Sequence, residues 1–190
     1  PILLKVNPNG GYMVGVELTA EGFRLAAFDL RMKRVFGRDC RVRDYSRIGH
    51  DIAECIRGML HELDVGQERL HGVCIGVPGL IDKNTHRVIA STVIPIEESN
   101  DFYDVIREAF PKATLRMGNE SGFCAYLEKT CMEREVHSLV YIEINEGIGA
   151  GIIIEDRIFT GAFGNAGEFG HISVDLNGKL CKCGNRGCLE

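Results

Sequence analysis

The segment Gly167-Glu168-Phe169-Gly170-His171, followed by Cys181-Lys182-Cys183-Gly184-Asn185-Arg186-Gly187-Cys188, places one histidine and three cysteines where a single metal ion can collect them. Three thiolates and an imidazole form a closed tetrahedral shell with no position left for water. The spacing therefore predicts a structural zinc held by His171, Cys181, Cys183 and Cys188. Such an ion folds the loop around itself. Gly184 and Gly187 suit a chain that must turn sharply there, because glycine accepts positive φ and close backbone approach. The competing reading is a set of buried free thiols or a disulfide. It fits less well, since a C-x-C pair with a third cysteine further along a Gly-rich polar loop is poor packing material.

The other five cysteines, Cys40, Cys55, Cys74, Cys124 and Cys131, lie singly in apolar or helical segments and read as small core hydrophobes. The sequence has no charged n-region leading into an apolar h-region and no apolar run near the length that spans a bilayer. A soluble, cytoplasmic protein with no membrane partner is expected, and disulfides are rare in that compartment. The 190 residues, 45% hydrophobic and 26% charged, suffice for one large core or two small ones. The net charge of −5 argues against this chain gripping a phosphate backbone by itself. The basic cluster Arg31-Met32-Lys33-Arg34 falls between two strand-like segments and reads as a turn with a solvated edge.

The organisation is α/β. Strands are expected at Tyr12 to Leu18, Phe23 to Leu30 and Lys33 to Val42, making a three-strand meander with a turn at Glu21-Gly22. Ile48, Ile52, Cys55, Ile56, Met59 and Leu63 recur every three or four residues, which predicts a helix over 45–63 with one buried face. A strand at Leu70 to Val77 runs into Pro78-Gly79, a strand-end turn of the kind that carries ligand contacts. A short loop follows, then a helix near 101–110, a strand at Thr114 to Met117 and a helix over 120–133 capped by Asn119. The pattern then restarts with Ser138 to Ile144, Gly149 to Ile154 and Arg157 to Phe159, a second copy of the opening unit. The boundary between the copies is expected near residue 135, giving a first lobe of 1–135 and the beginning of a second, with the zinc loop, over 136–190.

In order and spacing, Tyr12 to Asp29, Gly76-Val77-Pro78-Gly79-Leu80-Ile81-Asp82, Gly118-Asn119-Glu120, Glu146 to Gly151 and Ala166 to Glu190 resemble the ROK family of bacterial repressors and sugar kinases. The resemblance covers nearly the whole chain. It implies the actin-like, ribonuclease-H-like ATPase fold, with a sugar between two lobes and, in the kinases, ATP in the same cleft. It also implies a homodimer or higher homo-oligomer. Regulator members carry an N-terminal winged helix-turn-helix that binds operator DNA. Pro1 to Pro8 resembles the segment following that module, so the chain resembles an effector-domain fragment of the regulator branch without the DNA-binding part.

Measured against the family's kinase pattern, three elements depart. Glu17-Leu18-Thr19-Ala20-Glu21-Gly22 stands where kinases have an aspartate and a Gly-Gly-Thr run, and Leu18, Ala20 and Glu21 would crowd and repel phosphate. Glu146 stands where a small hydroxyl residue is usual. Glu120 replaces the aspartate that accepts the sugar hydroxyl proton, and displacing a base by about 1 Å can cost roughly a hundredfold in rate. Glycines 147, 149 and 151 read as tight hairpin packing. Residues matching the family's sugar contacts are retained: Asn119, Glu120, Glu168, His171 and Glu190. His171 would serve twice, one ring nitrogen on zinc and the other toward a sugar hydroxyl. The expectation is a sugar-sensing regulator domain, a repressor of carbohydrate-use genes that binds a sugar or sugar phosphate and has no catalytic residue. An ATP-dependent hexose or amino-sugar kinase is the alternative.

Overall fold

The structure, a computed structural model, describes residues 4–95, 101–144 and 147–190. The proposed Glu146 departure lies outside the described residues, as do residues 1–3 of the N-terminal segment. The chain packs as two units, one of residues 1–77 and 93–117, the other of 78–92 and 118–190.

The first unit is built on the meander. Strands β1 (Tyr12–Thr19), β2 (Gly22–Asp29) and β3 (Arg34–Arg41) pair antiparallel in sequence order, and β1 pairs on its other side in parallel with β4 (Leu70–Val77). With β7 (Thr114–Asn119) the sheet order is β3-β2-β1-β4-β7. This is the arrangement expected of a ribonuclease-H-like sheet. Alternation in β1, the middle strand, buries Tyr12, Val14, Val16 and Leu18, and Val73, Ile75 and Val77 of the neighbouring β4 are buried too. Helix α1 (Ile48–Glu62) brings Ile48, Ile52, Cys55, Ile56 and Met59 to this core along one face. Its crossing with α2 (Phe102–Ala109) depends on Gly49, where a Cβ would stand 2.7 Å from the Phe102 Cα.

In the second unit, the short loop expected after Pro78-Gly79 is a hairpin. Strands β5 (Leu80–Asp82) and β6 (Arg87–Ala90) pair antiparallel, and the Asp82 carboxylate closes the turn by accepting the N–H groups of Asn84 (2.8 Å) and Thr85 (3.1 Å). Strands β8 (Leu139–Ile144), β9 (Ile148–Ile154) and β10 (Arg157–Ile158) form the second sheet in the order β10-β9-β8. It repeats the opening meander.

Helix α3 (Glu120–Cys131) belongs by packing to this second sheet, so the units part at 117/118 and not near 135. The reason is steric fit. A Cβ on Gly151 would meet the Ser121 carbonyl oxygen at 1.9 Å and the Ala125 Cβ at 2.6 Å, so α3 lies directly on β9 where side chains are missing. Gly151→Ala is therefore expected to push α3 off β9 and lower stability by about 1–3 kcal/mol, the usual cost of overpacking. Urea unfolding, compared with Gly58→Ala on α1, measures it. Among the described residues no helix is long and apolar enough to cross a membrane.

Candidate functional site

All the residues singled out for binding lie in the second unit. The metal candidates come together in the last 20 residues of the chain by way of the backbone. Ser173 bridges Cys188 and Leu180 bridges Arg186 in short antiparallel contacts, with Val174 N–H donating to the Gly187 carbonyl at 2.7 Å and Cys181 N–H to that of Asn185 at 2.7 Å. Between them the chain reverses through Gly184 at φ +92° and Gly187 at φ +64°. At Gly187 a Cβ would stand 1.5 Å from the Asp175 carbonyl oxygen, which makes glycine obligatory.

The result sets His171 Nδ1 3.7 Å from Cys181 Sγ, and Cys183 Sγ 3.7 Å from Cys188 Sγ. The ligand atoms of all four residues lie within 4.8 Å of one another. Tetrahedral zinc with Zn–S of about 2.3 Å and Zn–N of about 2.0 Å spaces two sulfurs about 3.8 Å apart and sulfur and nitrogen about 3.5 Å apart. The donor set therefore fits one such ion in spacing and chemistry. The Asn185 backbone N–H, first among several donors, pulls the Cys183 thiol down. Burial, then the neighbouring thiols, pushes Cys188 up to about 12. A cation among them would be needed to hold all three sulfurs as thiolates.

The hydroxyl-binding candidates form around the same histidine. Gly167, at φ +97°, presses its backbone against β9, where a Cβ would come 1.9 Å from the Ala150 carbonyl; Ala150 N–H in turn donates to the Gly167 carbonyl at 2.9 Å. The following 3₁₀ turn, Phe169–His171, projects Glu168 and His171 from a single short segment. Glu190 is tied down, its N–H donating to the Gly170 carbonyl (3.0 Å) and its Oε2 accepting from Ile148 N–H (3.3 Å). Burial raises the Glu168 carboxyl above its usual range; the His171 ring opposes this and the Glu190 carboxylate adds to it, so the three groups sense one another. With Nδ1 turned to the sulfurs, Nε2 is the nitrogen remaining to His171.

Asn119 and Glu120 stand at the start of α3. Asn119 caps the helix, accepting from Ser121 N–H at 2.9 Å, and donates through Nδ2 to the Gly79 carbonyl at 3.2 Å. It thus fastens the Pro78-Gly79 turn to α3 and retains one N–H and one lone pair for a ligand. Sequence reasoning missed this link because nothing in the spacing of residues 79 and 119 announces it. Glu120 is the first helical residue and half-buried.

In the first unit, the β1–β2 turn that would face nucleotide phosphates in a kinase is flanked by two exposed ion pairs. Glu17 pairs with Arg24 at 3.1 Å and Glu21 with Arg41 at 3.1 Å. The Tyr45 hydroxyl is directed at the Thr19 and Gly22 carbonyl oxygens, and burial raises its pKa to about 12.

The family model described as ROK family matches residues 13–190. The xylose repressor of Bacillus subtilis (strain 168) is 32% identical over 193 residues, covering 100% of this chain and 50% of the relative. The DNA-binding transcriptional dual regulator NagC of Escherichia coli (strain K12) is 28% identical over 182 residues, covering 94% and 44%. The chain spans about half the length of the curated relatives it matches. Among solved structures, a ROK family transcriptional regulator described as a homolog of the E. coli MLC protein superposes with a TM-score of 0.81 at 24% identity, over 97% of this chain and 47% of that one. A ROK family glucokinase from Streptomyces griseus, in complex with glucose and AMPPNP, superposes with a TM-score of 0.77 at 24% identity, over 94% and 55%. These superpositions bear out the actin-like sugar-kinase fold.

Proposed function

The chain belongs to the ROK family, and on that footing we propose that it is the sugar-sensing effector domain of a transcriptional repressor of carbohydrate-use genes. The observation that carries the reading is a contrast within the chain. Glu168, His171 and Glu190 are assembled on one hydrogen-bonded backbone frame, whereas the β1–β2 turn carries Leu18, Ala20 and Glu21 and is flanked by two carboxylates with arginine partners. The repressor names of the curated relatives support the same branch.

In this reading His171, Cys181, Cys183 and Cys188 hold one zinc ion. Its role is to fix the loop and the orientation of the His171 ring; with four protein ligands it offers no open position for catalysis. Asn119, Glu120, Glu168, His171 and Glu190 supply acceptors and donors to the hydroxyls of a sugar or sugar phosphate. The ligand acts by favouring one of two states of the protein, and it shifts that equilibrium only by its difference in affinity for the two. The readout is operator DNA, bound by a winged helix-turn-helix in a cytoplasmic homodimer or higher oligomer.

The proposal is tested by a coupled assay for ADP with the full-length protein, ATP, magnesium and a panel of hexoses and amino sugars. No sugar-dependent ADP release is expected. Glu120→Asp, which restores the kinase base, is expected to stay silent as well, because the phosphate turn still carries Leu18, Ala20 and Glu21. Robust turnover by the unaltered protein would transfer the chain to the kinase branch.

A further inference from the structure

Strand β3 and helix α1 bring together two cysteines that the sensing site does not use. Cys40 Sγ and Cys55 Sγ are 3.7 Å apart, in contact but not bonded. Cys55 is 8% exposed and faces the core, while Cys40 is half-buried on the edge strand and open to small solutes.

A cation lies beside the pair. Arg38, two residues before Cys40 and so on the same face of β3, rests against the bare surface of α1 at Gly58, where a Cβ would sit 3.9 Å from its Nη1. Its guanidinium donates to Glu62 one turn further along the helix and lies over the Phe36 ring at 5.0 Å. Phe36, Arg38 and Cys40 on the strand thus face Cys55, Gly58 and Glu62 on the helix. Burial pushes the Cys55 thiol up to about 12, with Arg38 acting in the opposite direction and favouring its thiolate. A thiol that meets peroxide first needs access, and the one that resolves it needs contact and help toward its thiolate. Cys40 is the accessible partner, and Cys55 touches it with Arg38 favouring its thiolate.

We propose that Cys40 and Cys55 are a reversible thiol switch, in which a hydroperoxide oxidises Cys40 and Cys55 resolves the product into a disulfide that staples β3 to α1. In the first step the Cys40 thiolate attacks the hydroperoxide, forming an S–O bond as the O–O bond breaks; with hydrogen peroxide the departing hydroxide takes up the proton that the Cys40 thiol had released and leaves as water, and Cys40 becomes a sulfenic acid. In the second, the Cys55 sulfur attacks the Cys40 sulfur, the S–O bond breaks and a second water departs with the Cys55 proton. The two thiols lose two electrons and the peroxide gains them. Reduction by a dithiol reverses the bond, as suits a compartment where lasting disulfides are rare.

The test is peptide mapping of the full-length, zinc-loaded protein after treatment with hydrogen peroxide and alkylation of the remaining thiols. Trypsin leaves Cys40 in the peptide of residues 39–41 and Cys55 in that of residues 48–57. The expected product is these two peptides joined, about 2 Da lighter than their sum, with both alkylatable thiols lost and regained with dithiothreitol. Cys40→Ser is expected to leave Cys55 fully alkylatable after the same treatment, and Arg38→Gln to slow cross-linking in an otherwise intact protein. Recovery of both cysteines as alkylated thiols would overturn the proposal. So would a Cys40 carried on to sulfinic acid beside a free Cys55, or a cross-link from either to another cysteine.

Discussion

Cys181→Ser is expected to reduce bound zinc from about one ion per chain to none and to loosen residues 170–190 as a unit. The four ligands are the convergence point of a segment with little else to hold it. Val174, Leu176 and Leu180 are 65%, 83% and 67% exposed, so apolar burial contributes little there. What remains is the small set of backbone hydrogen bonds around Gly184 and Gly187. Structural zinc in small domains contributes apparent binding energies of roughly 10–16 kcal/mol, more than such a segment can replace. Metal analysis gives the stoichiometry, and hydrogen exchange reads the loss of protection in this segment against an unchanged first unit. A variant with full zinc and unaltered exchange would show that the sulfurs are ordinary thiols.

Glu168→Gln is expected to weaken sugar binding by roughly a hundredfold while zinc content and melting temperature of the free protein stay close to those of the unaltered chain. A carboxylate accepting from hydroxyls contributes about 1.5–3 kcal/mol per hydrogen bond, and the amide keeps the shape but loses the charge and one acceptor. Glu168 is half-buried beside Glu190 and His171, so its substitution also removes a repulsive neighbour of Glu190. That relief is why the folded protein is expected to tolerate the change. Calorimetric titration with the sugar found by screening measures the affinity, and an unchanged value would take Glu168 out of the ligand contacts.

Much of this molecule was legible because its signals are local and periodic. The meander showed in alternation from Tyr12 to Asp29, α1 in the recurrence of Ile48, Ile52, Ile56 and Met59, and the metal set in the close spacing of Cys181, Cys183 and Cys188. What escaped was short or non-local. Strands of three and four residues at Leu80–Asp82 and Arg87–Ala90 are too brief to carry a period, and their turn is set by one Asp82 side chain and a left-handed His86 at φ 54°. The allegiance of α3 was hidden because it rests on absent side chains at Gly149 and Gly151, which reading took as hairpin glycines. The contact of Cys40 with Cys55 required knowing how β3 lies on α1.

The central claim, that the chain senses a sugar and does not use nucleotide, is tested most directly by thermal shift of the zinc-loaded, full-length protein. Common hexoses, pentoses, amino sugars and their phosphates would each be tried with and without ATP and magnesium. At a hundred times Kd a ligand adds about 2.7 kcal/mol of stability, well within detection. The account predicts a shift with at least one sugar or sugar phosphate that ATP and magnesium leave unchanged. A shift with nucleotide, enlarged by sugar, would contradict it.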